Sequence, residues 1–176
     1  MGTSKLKKIF TILMAVTVMM AFTVGTGFAA DSNTSGKAPA TKGSMKCEVG
    51  VYKYSSKAGK KTGTATLTGI KKSEQKKIKT KTIVASCKYK GKTYKTTKVA
   101  AGAFKGCTKL KLLKFKSKKW TKSYKFSKKA FKGLKKSQIK KIKVQVNKKM
   151  SKADFKRLKK QLKAAGIPAK NIKKNL

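Results

Sequence analysis

The chain has no histidine, one arginine (Arg157) and only four acidic residues, Asp31, Glu48, Glu74 and Asp154. Without histidine there is no Ser-His or Cys-His pair, so a hydroxyl or thiol nucleophile lacks its usual base. The acids after Asp31 are scattered along the chain, which argues against a carboxylate pair for general acid–base work. Cysteine is scarce as well. Cys47, Cys87 and Cys107 stand at no zinc-ligand spacing, and their odd number leaves at least one unpaired. Cys107 reads as a small buried apolar residue; Cys47 and Cys87 are available to pair if the protein is exported. No glycine-rich loop follows a strand in a phosphate-cradling pattern. Ser-x-x-Lys occurs at Ser73/Lys76 and Ser137/Lys140, a match that chance supplies in so lysine-rich a chain. The expectation is a non-enzymatic protein with no catalytic residues, metal or cofactor.

What is abundant is lysine. Lys and Arg together number 49 in 176 residues, for a formal net charge of +45. An imbalance of this size means self-repulsion and attraction to polyanions. The bland alternative is that lysine serves as a general solvating residue. Lysine is a point charge on a flexible stem, unlike the planar arginine fork, and suits diffuse polyanions better than base readout.

The first residues, 1–29, read as a secretory signal peptide. Lys5, Lys7 and Lys8 precede the uncharged run Ile9–Val24, and Gly27 and Ala29 offer small residues for cleavage after Ala29. An uncleaved anchor is the competing reading, since the run approaches a bilayer span of about 20 residues. No second apolar span follows. Residues 30–46 are small and polar with Pro39, the composition of a flexible tether.

Residues 47–98 read as a β-hairpin module. Strands are expected at Cys47–Tyr54, Thr64–Thr68, Thr82–Lys90 and Lys92–Thr97, with Gly91 turning the last pair so that Tyr89 and Tyr94 face each other.

Residues 99–146 contain a repeat. Ala-Phe-Lys-Gly occurs at Ala103–Gly106 and at Ala130–Gly133, offset by 27 residues. Each copy is followed by apolar-x-x-apolar-x-apolar, first Leu110, Leu113 and Phe115, then Ile139, Ile142 and Val144, offset by 29. Self-similarity at such a period marks repeat architectures. The repeat core is expected to be Val99, Phe104, Gly106, Cys107, Leu110, Leu113 and Phe115, then Phe131, Ile139, Ile142 and Val144. Trp120, between the copies, reads as a lid on the core edge rather than a ligand-stacking surface aromatic.

Residues 147–176 hold a helix and tail. Ser151 is the N-cap with Asp154 three residues on, Met150 and Phe155 form a hydrophobic staple, and Phe155, Leu158 and Leu162 form an apolar stripe. Gly166 and Pro168 end the helix. Ile172 and Leu176 suggest a last short strand. The expected fold is α+β, a short solenoid with an N-terminal β-hairpin module and a C-terminal capping helix.

The block Ala103-Phe104-Lys105-Gly106-Cys107, followed by Leu110, Leu113 and Phe115, resembles the BspA-like leucine-rich repeat of secreted bacterial proteins. The hairpin Tyr89–Tyr94 and the helix end Ala164-Ala165-Gly166-Ile167 are similar to the flanks of such repeats. The resemblance implies a leucine-rich-repeat solenoid, a secreted or cell-surface location and a role in adhesion, with no catalytic residues.

The functional expectation is therefore a cell-surface or cell-wall binding module held on polyanions. Its contacts are expected from lysines that alternate with the apolar strand residues: Lys111, Lys114, Lys116, Lys140, Lys141 and Lys143. Expected partners are an anionic cell-wall polymer such as teichoic acid, an acidic glycan or a host surface protein. Non-specific binding of secreted nucleic acid is the alternative, and a membrane-active role for the amphipathic helix ranks last.

Overall fold

The structure is a computed structural model that describes residues 40–176. The expected leader, and the expected tether as far as Pro39, lie outside the described residues.

Among the described residues strand outweighs helix. The first strand, β1 (Thr41–Cys47), turns at Glu48 and Val49 into β2 (Gly50–Ser56), which pairs antiparallel with it and with β3 (Thr62–Ile70). The single strand expected over Cys47–Tyr54 is thus a hairpin tip followed by a strand. Thr41–Lys46, read as tether, belongs to β1 because its backbone finds a partner in β2. After a one-turn helix, α1 (Lys72–Gln75), comes β4 (Thr80–Ile83), then β5 (Ser86–Tyr89) and β6 (Lys92–Val99). The expected strand Thr82–Lys90 breaks at Val84 and Ala85. Its front half, β4, enters a different sheet from its back half, β5.

The remaining elements are β7 (Leu112–Phe115), β8 (Lys125–Phe126), α2 (Lys136–Lys141), β9 (Lys143–Val146), α3 (Lys152–Ala164) and, after a 3₁₀ turn, β10 (Ile172–Lys173). They complete two sheets. One is mixed and six-stranded, in the order β1-β2-β3-β6-β5, with β8 beside the end of β6; the other is parallel, in the order β10-β9-β7-β4.

This corrects the expected solenoid. Among the described residues there are two sheets and three α-helices, more strand than helix, and no solenoid. The physical reason is the shortness of the repeat. Two copies do stack: Gly102 donates its N–H to the Lys129 carbonyl, Phe104 to that of Ala130, and the Phe104 and Phe131 rings stack at 5.1 Å. Two layers cannot shield their own flanks, so segments without the repeat signature supply the outer strands. β4 precedes the repeats and β10 follows them.

The mixed sheet is sharply curved. Five strands laid flat at their usual spacing would hold β1 and β5 about 19 Å apart. Cys47 of β1 and Cys87 of β5 are instead joined by a disulfide, with Cα atoms 6.2 Å apart. Inside the curl, Tyr54 meets Tyr89 and Tyr94 at ring-centroid distances of 5.2 and 4.7 Å. Tyr89 and Tyr94 are not cross-strand partners as expected; Tyr94 lies opposite Cys87 and Tyr89 opposite Lys92. A register shift between Ala65 and Thr66 against β6 leaves both Thr96 and Thr97 buried, the effect of a bulge.

The sheets share one core. Phe115 of the parallel sheet lies 6.1 Å from Phe126 of the mixed sheet and 5.6 Å, edge-on, from Trp120. Trp120 is fully buried, with its indole N–H bonded to Gln161 of α3. Helix α3 begins as expected at Ser151, whose hydroxyl accepts the Asp154 N–H. Its buried Leu158 and Leu162 face inward, and it ends with Gly166 N–H on the Lys163 carbonyl and Ile167 N–H on that of Leu162, a Schellman closure.

Candidate functional site

In a strand, successive side chains point to opposite faces, so the parallel sheet sorts its residues into two sets. Ile83, Leu113, Phe115, Val144, Val146 and Ile172 face the core. The opposite face presents Thr80 and Thr82 from β4, Leu112 and Lys114 from β7, Lys143 and Gln145 from β9, and Lys173 from β10. The register sets Thr80, Leu112 and Lys143 in one row, and Thr82, Lys114, Gln145 and Lys173 in the next.

Part of this outer face is concave, a groove of about 980 Å³. The approaches to β7 and β9 and the tail around β10 line it. Six lysines line it: Lys109 and Lys111 ahead of β7, Lys141 and Lys143 at the α2–β9 junction, and Lys170 and Lys173 around β10. No acidic side chain is among the lining residues, and no aromatic. Leu112 contributes aliphatic surface, with Leu110 and Val144 behind it, and Gln145 and Asn175 contribute amides. Two further amides hold the walls in shape. Gln138 accepts the Lys135 N–H and donates to the Thr108 carbonyl, and Asn171 Nδ2 donates to the carbonyls of Lys140 and Ile142. A smaller hollow of about 350 Å³ lies beside Lys128, Lys129 and Lys132, against Phe131, Leu134 and Ile139.

Three of the six expected lysines, Lys111, Lys141 and Lys143, come together on the groove. Lys114 shares the sheet face without lining the groove, and Lys116 and Lys140 are exposed outside it. Lys109, Lys170 and Lys173 were missed. The last two had a signal in the short strand expected near Ile172, since a strand there carries its lysines to the sheet.

Of the expected repeat core, Val99, Phe104, Cys107, Leu110, Leu113, Phe115, Phe131, Ile142 and Val144 are buried. Gly106 adopts φ +76° in the turn, the left-handed conformation that glycine takes at least cost. Ile139 is the exception. It is half-buried on α2 rather than inward on a strand. The pairing that places Leu113 beside Val144 and Phe115 beside Val146 makes the strand offset 31 residues, not 29. α2 occupies the stretch ahead of β9 in which the second copy is longer than the first.

Few counter-ions oppose this charge. Among the described residues two ion pairs form, Lys81–Glu48 and Arg157–Asp154, and neither touches the groove. Lys81 is unusual in pointing into the core from β4; its side chain is 1% exposed and its Nζ lies 3.5 Å from Glu48 Oε2. Burial lowers its pKa, against the opposing pull of the Glu48 carboxylate. Burial, helped by Glu48, raises that of Tyr52, whose buried hydroxyl has no hydrogen-bond partner. No cluster of three metal-ligating side chains is found among the described residues, and none of their helices is long and apolar enough to cross a membrane. Comparison with protein-family models, curated proteins and solved structures finds no match to the chain.

Proposed function

We propose that the protein is an exported, non-catalytic binding module, held by its lysines on anionic polymers of a cell surface or wall such as teichoic acid or acidic glycans. The observation that carries this reading is the groove on the parallel sheet, where six lysines converge with no carboxylate among them. Such a surface lowers its own repulsion by taking up an anion. Binding to a polyanion also releases condensed counterions, which favours association at low salt. An adhesive role, in which a host surface protein or glycan is the partner, uses the same charge.

Burial of Trp120 weighs against the nucleic-acid alternative, because single strands are held largely by stacking bases on exposed aromatics. The membrane-active alternative loses its support in α3, whose Leu158 and Leu162 are spent on the core.

Fractionation of the native cells tests the reading. The protein is expected to leave the cell fraction in high salt without detergent. Retention through both high salt and delipidation would overturn it.

A further inference from the structure

We propose that the groove takes a linear phosphodiester chain without bases, of the polyol-phosphate kind, and that this site rather than the lysine surface at large sets ligand preference. The inference rests on the polyanion reading above.

Three properties of the groove select the ligand. Its lining is cationic across three adjacent strands, Lys109 and Lys111 beside Lys141 and Lys143, with Lys170 and Lys173 beyond. One small anion cannot satisfy charges spread over three adjacent strands. A chain with regularly spaced anions can, because neighbouring strands are about 4.8 Å apart. All six charges are lysine. Lysine is a point charge on a flexible stem, so it follows successive anions along a chain without the planar geometry that an arginine fork imposes. The floor, finally, is aliphatic at Leu112 and hydrogen-bonding at Gln145. It offers no flat aromatic platform for a base or a rigid ring, but it accommodates the CH and OH groups of a flexible polyol. The volume of about 980 Å³ suits a few such units.

The experiment compares two triple variants of equal net charge. Lys111→Gln, Lys141→Gln and Lys143→Gln alter the groove; Lys156→Gln, Lys160→Gln and Lys163→Gln alter the exposed face of α3. The probes are poly(glycerol phosphate), polygalacturonate and single-stranded DNA, each titrated across a salt series. The groove triple is expected to weaken poly(glycerol phosphate) binding about tenfold more than the α3 triple. It should also flatten the dependence of log K on log salt by about 2, from three lost contacts at a single-strand slope of about 0.7 each. In the unaltered protein the polymer should shield Lys111, Lys141 and Lys143 from acetylation more than Lys156, Lys160 and Lys163, a readout independent of any variant's folding.

Equal losses in the two triples, or equal shielding, would overturn the groove and leave the polyanion reading standing. Tighter binding of polygalacturonate or DNA than of poly(glycerol phosphate) would overturn the ligand assignment. Failure of all three polymers to bind at low salt would overturn the polyanion reading itself.

Discussion

Lys81 is the residue whose chemistry least fits its place. It occupies a core-facing position on β4, opposite Leu113 of β7 and two residues from the buried Ile83, and its one charged partner, Glu48, is 46% exposed. Burying a charge with a single solvated partner costs more than the pairing returns. Lys81→Met is therefore expected to raise stability by about 1 kcal/mol or more, read as a higher urea midpoint. Glu48→Gln, which removes the partner and leaves the buried ammonium, is expected to lower it by about 1–3 kcal/mol. The pH dependence follows from the lowered pKa of Lys81. The unfolded chain holds this proton more tightly than the folded one, so the stability that the neutral amine allows is lost as pH falls through the folded-state pKa. It returns as pH rises toward the unfolded value of about 10.4. The advantage of Lys81→Met over the unaltered protein should thus shrink as pH rises toward that unfolded value; an advantage that grows with pH would refute the argument. Cys107 gives a simpler case. Burial pushes its thiol up to about 11, so at pH 8 it is expected to resist alkylation in the folded protein and to react fully once urea unfolds the chain.

Among the elements, the segment from β7 to α3 shows what holds the two sheets together. Gln161 of α3 is a three-way clamp. Its Oε1 accepts the Trp120 indole N–H at 3.1 Å and the Phe126 backbone N–H at 2.7 Å, while its Nε2 donates to the Tyr124 carbonyl at 3.1 Å. Arg157 adds a bond to the Trp120 carbonyl at 2.8 Å. Gln161→Leu keeps much of the volume but leaves two buried donors without acceptors, at about 1–3 kcal/mol each before relaxation. The expected result is a melting transition several degrees lower, with Trp120 fluorescence shifted to the red. An unchanged melt would show that water replaces the amide without loss. Nothing in the sequence singles Gln161 out, because a polar residue on the helix surface looks the same whether it meets water or a loop. The helix itself was legible, since its signals (Ser151, the Phe155-Leu158-Leu162 stripe, Gly166) are local. The strand register was not. An apolar pattern of period two is unchanged by a two-residue slip, so Ile142 and Val144 matched Leu113 and Phe115 as well as Val144 and Val146 do. Only the ladder between β7 and β9 decides between them. The sheet change at Val84 and Ala85 was hidden for a related reason. β4 and β5 are each acceptable strands, and which sheet receives each depends on partners distant in the chain. Part of the candidate groove shared that fate. Lys109, Lys111, Lys141 and Lys143 lie on or just ahead of β7 and β9, whereas Lys170 and Lys173, though near a strand visible in the sequence, join them only through the order β10-β9-β7.

At the scale of the molecule, a curved sheet stapled at its edges has to hold against its own charge. The Cys47–Cys87 disulfide closes a loop of 40 residues in sequence separation, a constraint worth about 2–4 kcal/mol against the unfolded chain. The staple matters here because the acidic residues are too few to neutralise the surface: with a formal net charge of +45, compaction brings like charges closer everywhere. Two salt effects of opposite sign follow. For the free protein, raising sodium chloride from 20 to about 300 mM shortens the screening length several-fold and relieves the self-repulsion, so the melting temperature should rise. It should rise more steeply in the reduced protein, which has less stability to spare. With a polyanion bound, the same salt removes ligand as well as repulsion, so the stabilisation due to poly(glycerol phosphate) should be largest at 20 mM and vanish toward 300 mM. Melting curves with and without polymer should therefore converge as salt increases. Parallel curves would mean that the polymer is held by contacts other than charge. A melting temperature for the free protein that falls with salt would mean that lysine repulsion is already relieved in the fold, and that the groove has no excess charge left to offer.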